Sequence, residues 1–281
     1  MKKIGAFLLL LISAFSAKAQ LLWEVSGNGL NKPSYLYGTI HMVKNQDFKV
    51  SPEINEKLAS SEQLIMEMDM DFGMAEMMEM AKRMMLPKGK TMEDYCTPSE
   101  YARLKKYCMD TVGMKESKFL GYCKMTPFFF SSILLKEQLG DVEAYEEYFK
   151  SKAKKSKKSI VGLETLEEQL NTVDAMSIED QKNMLFEALG TELVEFDKMY
   201  ALYETQNIDS LYSYIQEESK STPDFERDFL VKRNLKWIPL LKGNMMMKSS
   251  FIAVGAAHLA GEQGVISLLR KEGFTVLPVK Y

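Results

Sequence analysis

Histidine and excess positive charge are both scarce in this sequence. Only 2 of the 281 residues are histidines, so any chemistry that needs an imidazole must use His41 and His258. The formal net charge is -3, whereas a dedicated nucleic-acid-binding protein usually carries a basic excess. The HExxH motif of the zincin metalloproteases is also absent. We therefore expect no nucleic-acid partner, and any metal site must be built from other motifs.

Long apolar runs are missing except at the N-terminus, where residues 4–12 follow two lysines. A basic start, an apolar run of this length and the sequence AKA before Gln20 are typical of a secretory signal peptide. The run is too short to span a membrane comfortably, and no second run follows it. We therefore expect residues 1–19 to be a signal peptide cleaved after Ala19 and residues 20–281 to form one domain. This predicts export to a bacterial periplasm without a stable transmembrane anchor.

Cysteine is scarce as well, and its 3 copies lie close together in the sequence, at Cys96, Cys108 and Cys123. In an oxidising compartment one disulfide is expected, and the odd number leaves one thiol free or paired with another chain. All three pairings are open from the sequence, and among them we favour Cys96–Cys108.

Strand signals concentrate towards the two ends of the chain, and helical signals dominate between them. Apolar segments bounded by turn residues predict strands at 22–26, 34–40, 63–68, 160–163, 251–255 and 274–279. Helical spacing and capping residues predict helices that include 71–86, 98–109, 127–139, 142–150, 177–203, 208–217, 224–242 and 259–271. This order predicts an α+β fold, in which a central mixed β-sheet of N- and C-terminal strands carries a large helical insert.

Each histidine ends the same four-residue pattern. GTIH at 38–41 and GAAH at 255–258 both follow apolar segments that predict strands. A glycine at the end of a strand permits a sharp turn or the close approach of a ligand. The histidine beyond it projects from the carboxyl edge of the sheet, where open sheets bind ligands. Two histidines that converge there could bind a divalent metal ion. We favour this over the alternative of two unrelated capping or core histidines.

A metal ion needs further ligands, and carboxylates at other strand ends are the candidates. Glu67 fits best, because it lies at the end of the apolar strand 63–68 and would be costly to bury without a partner. Glu164 ends the strand at 160–163. It is either a second carboxylate of the site or the first acidic residue of the next helix. We expect Asp71 to cap the helix that follows Glu67.

Arg233 precedes Trp237 by four residues in a predicted helix, so the two side chains share a face. A guanidinium there could clamp a carboxylate or stabilise an oxyanion. A surface salt bridge is the commoner role of such an arginine.

Methionine, in contrast, is abundant, with 21 copies, many of them on the predicted helix 71–86. Such a helix could form an adaptable apolar lid over a peptide groove or a soft-metal site for copper(I). We favour a third interpretation, in which the methionines pack in the core or at the contact of a homodimer.

Six motifs occur in order along the chain: Trp23, GTIH at 38–41, EMD at 67–69, GLET at 162–165, RNxxW at 233–237 and GAAHLAGEQGV at 255–265. Together they resemble the TraB/GumN family (TraB/PrgY/GumN), whose members are relatives of the Tiki metalloproteases. The resemblance extends over almost the whole chain after residue 20. It implies an α+β fold of two related halves around a shared sheet, and metal-dependent endopeptidase activity. The site that it implies comprises His41, Glu67, Arg233 and His258.

We therefore expect an exported metal-dependent peptidase that acts on a peptide or protein. His41, His258 and Glu67 would hold a divalent ion (Zn, Mn or Co) that activates water and polarises the scissile carbonyl. Arg233 would stabilise the oxyanion, and Glu67 or Glu164 would relay protons. The alternative is a non-catalytic periplasmic protein that binds a peptide or haem in the same cleft. In a third interpretation, a structural partner in the envelope, both histidines would be dispensable.

Overall fold

The computed structural model describes residues 20–220 and 224–281, so the predicted signal peptide lies outside the described residues. The strands in these ranges are β1 (Leu22–Ser26), β2 (Ser34–Thr39), β3 (Val43–Lys44), β4 (Gln63–Met68), β5 (Val142–Glu143), β6 (Ser159–Glu164), β7 (Ser250–Gly255) and β8 (Thr275–Pro278). The α-helices are α1 (Pro52–Ser60), α2 (Met74–Arg83), α3 (Pro98–Lys106), α4 (Glu116–Tyr122), α5 (Pro127–Leu139), α6 (Tyr145–Lys155), α7 (Leu166–Asp174), α8 (Ile178–Ala188), α9 (Glu192–Glu204), α10 (Ile208–Glu218), α11 (Lys232–Met247) and α12 (Val265–Lys271). The predicted α+β class is confirmed.

The main sheet has six strands in the order β6-β4-β7-β2-β1-β8. Strands β6, β4, β7 and β2 run parallel, whereas β1 is antiparallel to both of its neighbours. Every residue of β2 and β7 is buried, as expected for parallel strands at the centre of a sheet. These two strands are hydrogen-bonded neighbours, with Thr39 opposite Gly255. The two GxxH motifs therefore leave the same edge of the sheet side by side.

Two apolar cores support this arrangement. The larger one packs helices against the sheet and includes Tyr37, Phe149, Trp237 and Phe251, all of them almost completely inaccessible to solvent. A second core lies within the helical region and includes Met92, Leu104, Cys108, Phe119 and Phe130. None of the helices in the described ranges combines the length and the apolar character that a membrane-spanning helix needs.

Several helix boundaries differ from the prediction. The predicted helix 71–86 is shorter, since α2 begins at Met74 with Gly73 as its N-cap. The expectation that Asp71 caps this helix is wrong, because its carboxylate is exposed and binds Lys154 Nζ at 2.8 Å. The predicted helix 177–203 is two helices, α8 and α9. They are separated near Gly190, whose φ of 99° lies in the left-handed region that favours glycine.

The three cysteines are free thiols in the structure, so the favoured Cys96–Cys108 disulfide is not formed. Cys108 and Cys123 are buried in the second core, and Cys96 packs against it. Burial raises the pKa of both Cys108 and Cys123 to about 12. These thiols pack as small apolar side chains.

Candidate active site

The two glycines of the GxxH motifs bring the site together in different ways. A Cβ atom on Gly38 would lie 2.9 Å from Leu259 Cδ1 and 3.0 Å from Ala256 Cα, so this glycine lets the second motif pack against β2. A Cβ atom on Gly255 would lie 3.2 Å from Glu67 Oε1, 3.6 Å from His258 Cδ2 and 3.8 Å from His41 Nε2. The three residues predicted as metal ligands therefore surround one backbone position at the edge of the sheet.

His258 is buried, and its ring has three close neighbours. Its Nδ1 atom is 2.7 Å from Asn234 Oδ1, and its ring lies against Trp237 with centroids 4.4 Å apart. Arg233 Nη1 is 3.2 Å from Nε2. Burial lowers the pKa of His258 to about 3, so the ring is neutral. Since the amide oxygen and the guanidinium fix the tautomer, Nδ1–H donates to Asn234 and Nε2 carries the lone pair.

His41 has the same orientation in a different setting. Its side chain is 69% exposed, and Nδ1 lies 3.1 Å from Glu146 Oε1. The hydroxyl of Thr39 donates to the same oxygen at 2.7 Å. Desolvation lowers the pKa of His41, but the hydrogen bond to Glu146 and the charge of that carboxylate outweigh it and raise the pKa to about 9. Glu146 therefore fixes the Nδ1 side of the ring and leaves Nε2 on the side of Gly255.

Arg233 connects the carboxylates of two strands. Its Nη2 atom donates to Glu67 Oε2 at 2.6 Å and to Glu164 Oε2 at 2.9 Å, while Nε donates to both oxygens of Glu164 at 3.1 and 3.0 Å. Nη1 donates to the carbonyl oxygen of Phe229 at 3.2 Å and faces His258. All three charged side chains are nearly inaccessible. Arg233 therefore belongs to a buried ion-pair network and makes no surface salt bridge.

Glu67 is the carboxylate nearest to both histidines. Its Oε1 atom accepts a hydrogen bond from the backbone N–H of Gly255 at 2.7 Å and lies 3.8 Å from His258 Nε2. Burial alone would raise the pKa of Glu67, but His258, Arg233, His41 and the Gly255 N–H hold it at about 2. Glu164 joins the same network through Arg233. It is not a first-turn acid, because α7 begins after it, with Thr165 as the N-cap.

A cleft of about 380 Å³ opens beside this network, with His41, Glu67, Glu146 and Arg233 at its polar end. Its remaining wall is mainly apolar and includes Met70, Met80, Phe128, Phe129, Leu166 and Phe229. Met80 comes from α2, a helix with no buried residue, on which Met74, Met77 and Met78 are exposed. Packing of this methionine-rich helix in the core is therefore wrong, whereas its packing at the contact of a homodimer stays a prediction. Its position instead matches an apolar cover over one side of the cleft.

The donor set fits a metal ion in chemistry more closely than in present spacing. One carboxylate oxygen and two imidazole nitrogens are ligands that zinc and similar ions accept. His258 is already neutral, whereas His41, with its pKa of about 9, must lose a proton to bind a metal at neutral pH. Two ligands of a tetrahedral zinc ion are roughly 3.4 Å apart, close to the 3.8 Å between His258 Nε2 and Glu67 Oε1. Nevertheless, no group of three or more His, Cys, Asp or Glu in residues 20–220 and 224–281 is spaced to hold a metal. Arg233 occupies part of the space that such an ion would need.

Two residues of the site had no role in the sequence analysis. Asn234 follows Arg233 within the RNxxW motif. The motif points to this segment of the chain, but nothing in the sequence predicts that Asn234 contacts His258. Glu146 lies on α6, within the helical region, and no sequence motif distinguishes it from the adjacent Glu147. Both supply an oxygen to the Nδ1 atom of a histidine.

Comparison with known proteins gives a consistent result. The model of the TraB/PrgY/gumN family matches residues 21–278. The metalloprotease TIKI1 of Danio rerio is 24% identical over 313 residues, which cover 91% of this chain and 62% of that protein. The metalloprotease TIKI2 of Xenopus tropicalis is 24% identical over 322 residues, covering 91% and 59%. The chain thus spans about three fifths of the length of these relatives. No solved structure matches it.

Proposed function

The chain belongs to the TraB/PrgY/gumN family, and from this premise we propose that it is a metal-dependent peptidase whose active site is the cluster around Gly255. The similarity to two metalloproteases over most of the chain supports a hydrolytic role. The similarity covers about three fifths of each relative. The arrangement of this chain's own residues gives further support.

The observation that carries the proposal is the shared orientation of the two histidines. Each Nδ1 atom faces an oxygen acceptor, Glu146 for His41 and Asn234 for His258. Metal-binding histidines almost always have such a partner, which fixes the tautomer and leaves Nε2 to the metal. His41, His258 and Glu67 would hold a divalent ion such as Zn, Mn or Co. Such an ion, when bound, supplies a water of lowered pKa and polarises a carbonyl group.

Arg233 would neutralise the site and assist the transition state. Its charge balances the buried carboxylates of Glu67 and Glu164, which would otherwise repel each other. If His258 gave its lone pair to a metal ion, Nη1–H of Arg233 would no longer have that acceptor. It could then donate to the developing oxyanion of the scissile bond. Glu67, whose Oε1 atom lies near His258, would take a proton from the attacking water and pass it to the leaving amine.

The shape of the cleft supports a peptide substrate with apolar side chains. Apolar walls lead to a polar end, as in most small-molecule and peptide sites. A peptide that lies along the wall would place one carbonyl at the cluster around Gly255.

We also propose that residues 1–19 are removed on export to the periplasm. N-terminal sequencing of protein recovered from that compartment should begin at Gln20.

Metal content and peptide cleavage, measured on the same purified protein, test the function. We expect about one equivalent of divalent metal by elemental mass spectrometry, and cleavage of a peptide library that stops with a chelator and returns with the metal. The double variant His41→Ala, His258→Ala should lose both. Glu147→Gln, a change of an exposed carboxylate outside the cleft, should keep both. Full activity in the double variant would overturn the proposal.

A result without turnover would favour the binding alternative. The protein would then bind a peptide or haem to saturation, with no product formed after reconstitution with each metal. The apolar wall and the exposed His41 are compatible with either ligand. Titration of both ligands into the wild type, and into the double variant, separates a binding protein from an inactive enzyme preparation.

A further inference from the structure

A second cavity, larger than the cleft, lies among α5, α8, α9 and α10. Its volume is about 510 Å³. Four glutamates contribute to its lining, namely Glu187, Glu192, Glu195 and Glu218. Among the residues that the structure describes, no lysine, arginine or histidine lines it. The cavity therefore has an acidic lining that no part of the proposed catalytic chemistry uses.

Glu192 is the most informative of these residues. It is only 8% exposed, and its Oε2 atom accepts hydrogen bonds from the Tyr107 hydroxyl at 2.9 Å and the Gly190 N–H at 2.8 Å. Its Oε1 atom is buried and has no hydrogen-bond partner. A buried carboxylate oxygen without a hydrogen-bond donor is destabilising. A ligand that donates an N–H to Oε1 would explain why this oxygen has no partner within the protein.

The other carboxylates extend the negative charge across the cavity. Glu195 accepts a hydrogen bond from the Tyr214 hydroxyl and also pairs with Lys198 at 3.1 Å, outside the lining. Glu218, at the end of α10, is exposed. A cation that enters would thus meet exposed negative charge before it reaches buried charge at Glu192, an arrangement that favours binding of positive ligands.

Apolar side chains form the walls between these carboxylates, and they include Met42, Leu135, Phe196, Met199 and Ile215. A ligand that fits must therefore combine an apolar stem with a positive end. The side chains of lysine and arginine have this construction, because a chain of methylene groups carries the charged head.

The cavity adjoins the cleft, and a pair of stacked aromatic rings lies between the two. Phe225 lines the cavity and Phe229 lines the cleft, and their rings stack with centroids 4.6 Å apart. Phe229 in turn stacks on Phe128, which lies on α5 and also lines the cleft. A second connection lies in the segment after β2, where His41 lines the cleft and the next residue, Met42, lines the cavity.

We propose that this cavity is a specificity pocket for a lysine or arginine side chain of the peptide that occupies the cleft. The inference rests on the proposed function only for the identity of that peptide as a substrate. The basic side chain crosses the aromatic ridge of Phe225 and Phe229 and places its N–H groups at Glu192. One N–H of a guanidinium or ammonium group would satisfy the unpartnered Oε1 atom, since Oε2 already accepts two hydrogen bonds.

Binding can be measured separately from cleavage. Matched fluorescent peptides carry arginine, or its uncharged analogue citrulline, at each position of an otherwise apolar sequence. Fluorescence anisotropy with the double variant His41→Ala, His258→Ala measures affinity where no turnover is expected. At one position we expect the arginine peptide to bind about tenfold more tightly, as for a hydrogen bond between charged groups.

Variants of the cavity locate the preference. Glu192→Gln and Glu218→Gln, alone and together, should reduce the preference for arginine to less than about twofold. Glu217→Gln, which changes the neighbouring exposed glutamate outside the cavity, should keep it. If Glu192→Gln does not fold, Glu218→Gln alone still has to lower the preference. Equal affinity for both peptides, absence of peptide binding, or a preference unchanged in these variants would overturn the inference.

Cleavage assays then separate this inference from the proposed function. Selective binding without cleavage by the metal-loaded wild type would support the pocket and contradict the peptidase. Cleavage without a preference for the basic residue would support the peptidase and contradict the pocket. Equal inhibition of arginine-peptide binding by a free alkylammonium ion and by a second arginine peptide would show that the pocket recognises the cation alone, which contradicts a peptide-specific role.

Discussion

The Nδ1 atom of His258 lies 2.7 Å from Oδ1 of Asn234, and both side chains are buried. Asn234 is itself held, since its Nδ2 group donates to the carbonyl oxygens of His258 at 3.3 Å and Gln263 at 2.9 Å. The amide therefore fixes both the ring and the loop that carries it. This gives Asn234 a positioning role for His258, comparable to that of Glu146 for His41.

Removal of this amide should weaken metal binding. We expect Asn234→Ala to lower metal affinity about 10- to 100-fold, as for other partners of metal-binding histidines, and the free energy of unfolding by about 1–3 kcal/mol. Asn244→Ala removes an amide from the same helix that bonds only to the Leu240 carbonyl oxygen. It should leave metal affinity unchanged. Isothermal titration of the metal provides the measurement, and equal affinities for the two variants would contradict the positioning role.

The two histidines should titrate far apart in the metal-free protein. We expect a pKa of about 9 for His41, because of Glu146, and of about 3 for His258, because of burial. With 2 histidines in the sequence, NMR titration of the ring protons can be assigned with one His41→Ala variant. Glu146→Gln should lower the pKa of His41, whereas Glu147→Gln should not.

The sign of the effect on stability differs between the two rings. Folding raises the pKa of His41, so protonated His41 stabilises the folded state. This contribution to the free energy of unfolding is fully present below the unfolded pKa of about 6.5 and is lost as the pH rises towards 9. Folding lowers the pKa of His258, so the unfolded chain binds more protons between about pH 6.5 and pH 3. The free energy of unfolding should fall with acidification across that window, and less steeply in His258→Asn.

The two GxxH glycines should respond differently to alanine. In Gly38→Ala the new methyl group meets backbone and side-chain atoms at 2.9–3.0 Å, so we expect a stability loss of about 1–3 kcal/mol from overpacking. In Gly255→Ala it meets the end of the Glu67 side chain at 3.2 Å. This side chain must shift, so metal affinity should fall more than stability does. Thermal unfolding and metal titration together check this contrast. A loss of stability in both variants, with metal affinity unchanged in Gly255→Ala, would contradict it.

Arg233 should stabilise the fold strongly at neutral pH. Arg233→Leu leaves Glu67 and Glu164 buried without their cation, and we expect a loss of about 3–5 kcal/mol. Arg227→Leu removes an exposed arginine from nearby ion pairs and should lower stability by less than about 1 kcal/mol. Denaturant unfolding at pH 7 provides the measurement.

The pH dependence of the same variant provides an independent check. In the wild type the pKa of Glu67 is about 2, below its unfolded value, so its contribution is lost as the pH falls towards 2. Without Arg233, burial raises the pKa of Glu67, so the stability of the variant relative to the wild type should rise when the pH falls from 7 to 5. Parallel pH profiles for wild type and variant would contradict this account of the network.

The cysteines should all be reduced and slow to react in the native protein. Burial raises the pKa to about 11 for Cys96 and about 12 for Cys108 and Cys123, so little thiolate is present at pH 8. Alkylation followed by mass spectrometry should find slow modification of the folded protein and three modified thiols after denaturation. If Cys96 and Cys108 formed a disulfide, only one thiol would be modified after denaturation.

The strands and the pairing of motifs could be predicted from the sequence alone. Apolar segments with turn residues at their ends marked all six strands of the main sheet to within about two residues. The repeated glycine and histidine spacing indicated that GTIH and GAAH belong to one site, because such motifs follow strand ends. Glu67 was also accessible to this reasoning, since a charged residue within an apolar strand needs a partner.

The tertiary structure decided which side chains complete the site. Glu146 reaches His41 because α6 lies beside the carboxyl edge of the sheet, and a contact across more than a hundred residues leaves no local periodic signal. The same holds for the unpartnered oxygen of Glu192 and for the exposure of the methionines on α2, since spacing defines a helical face but not what covers it. Helix ends and the free cysteines were likewise fixed by packing. Local sequence thus determined the elements and their motifs, while long-range packing determined the partners, because hydrogen bonds and burial depend on distances that the chain sets only when folded.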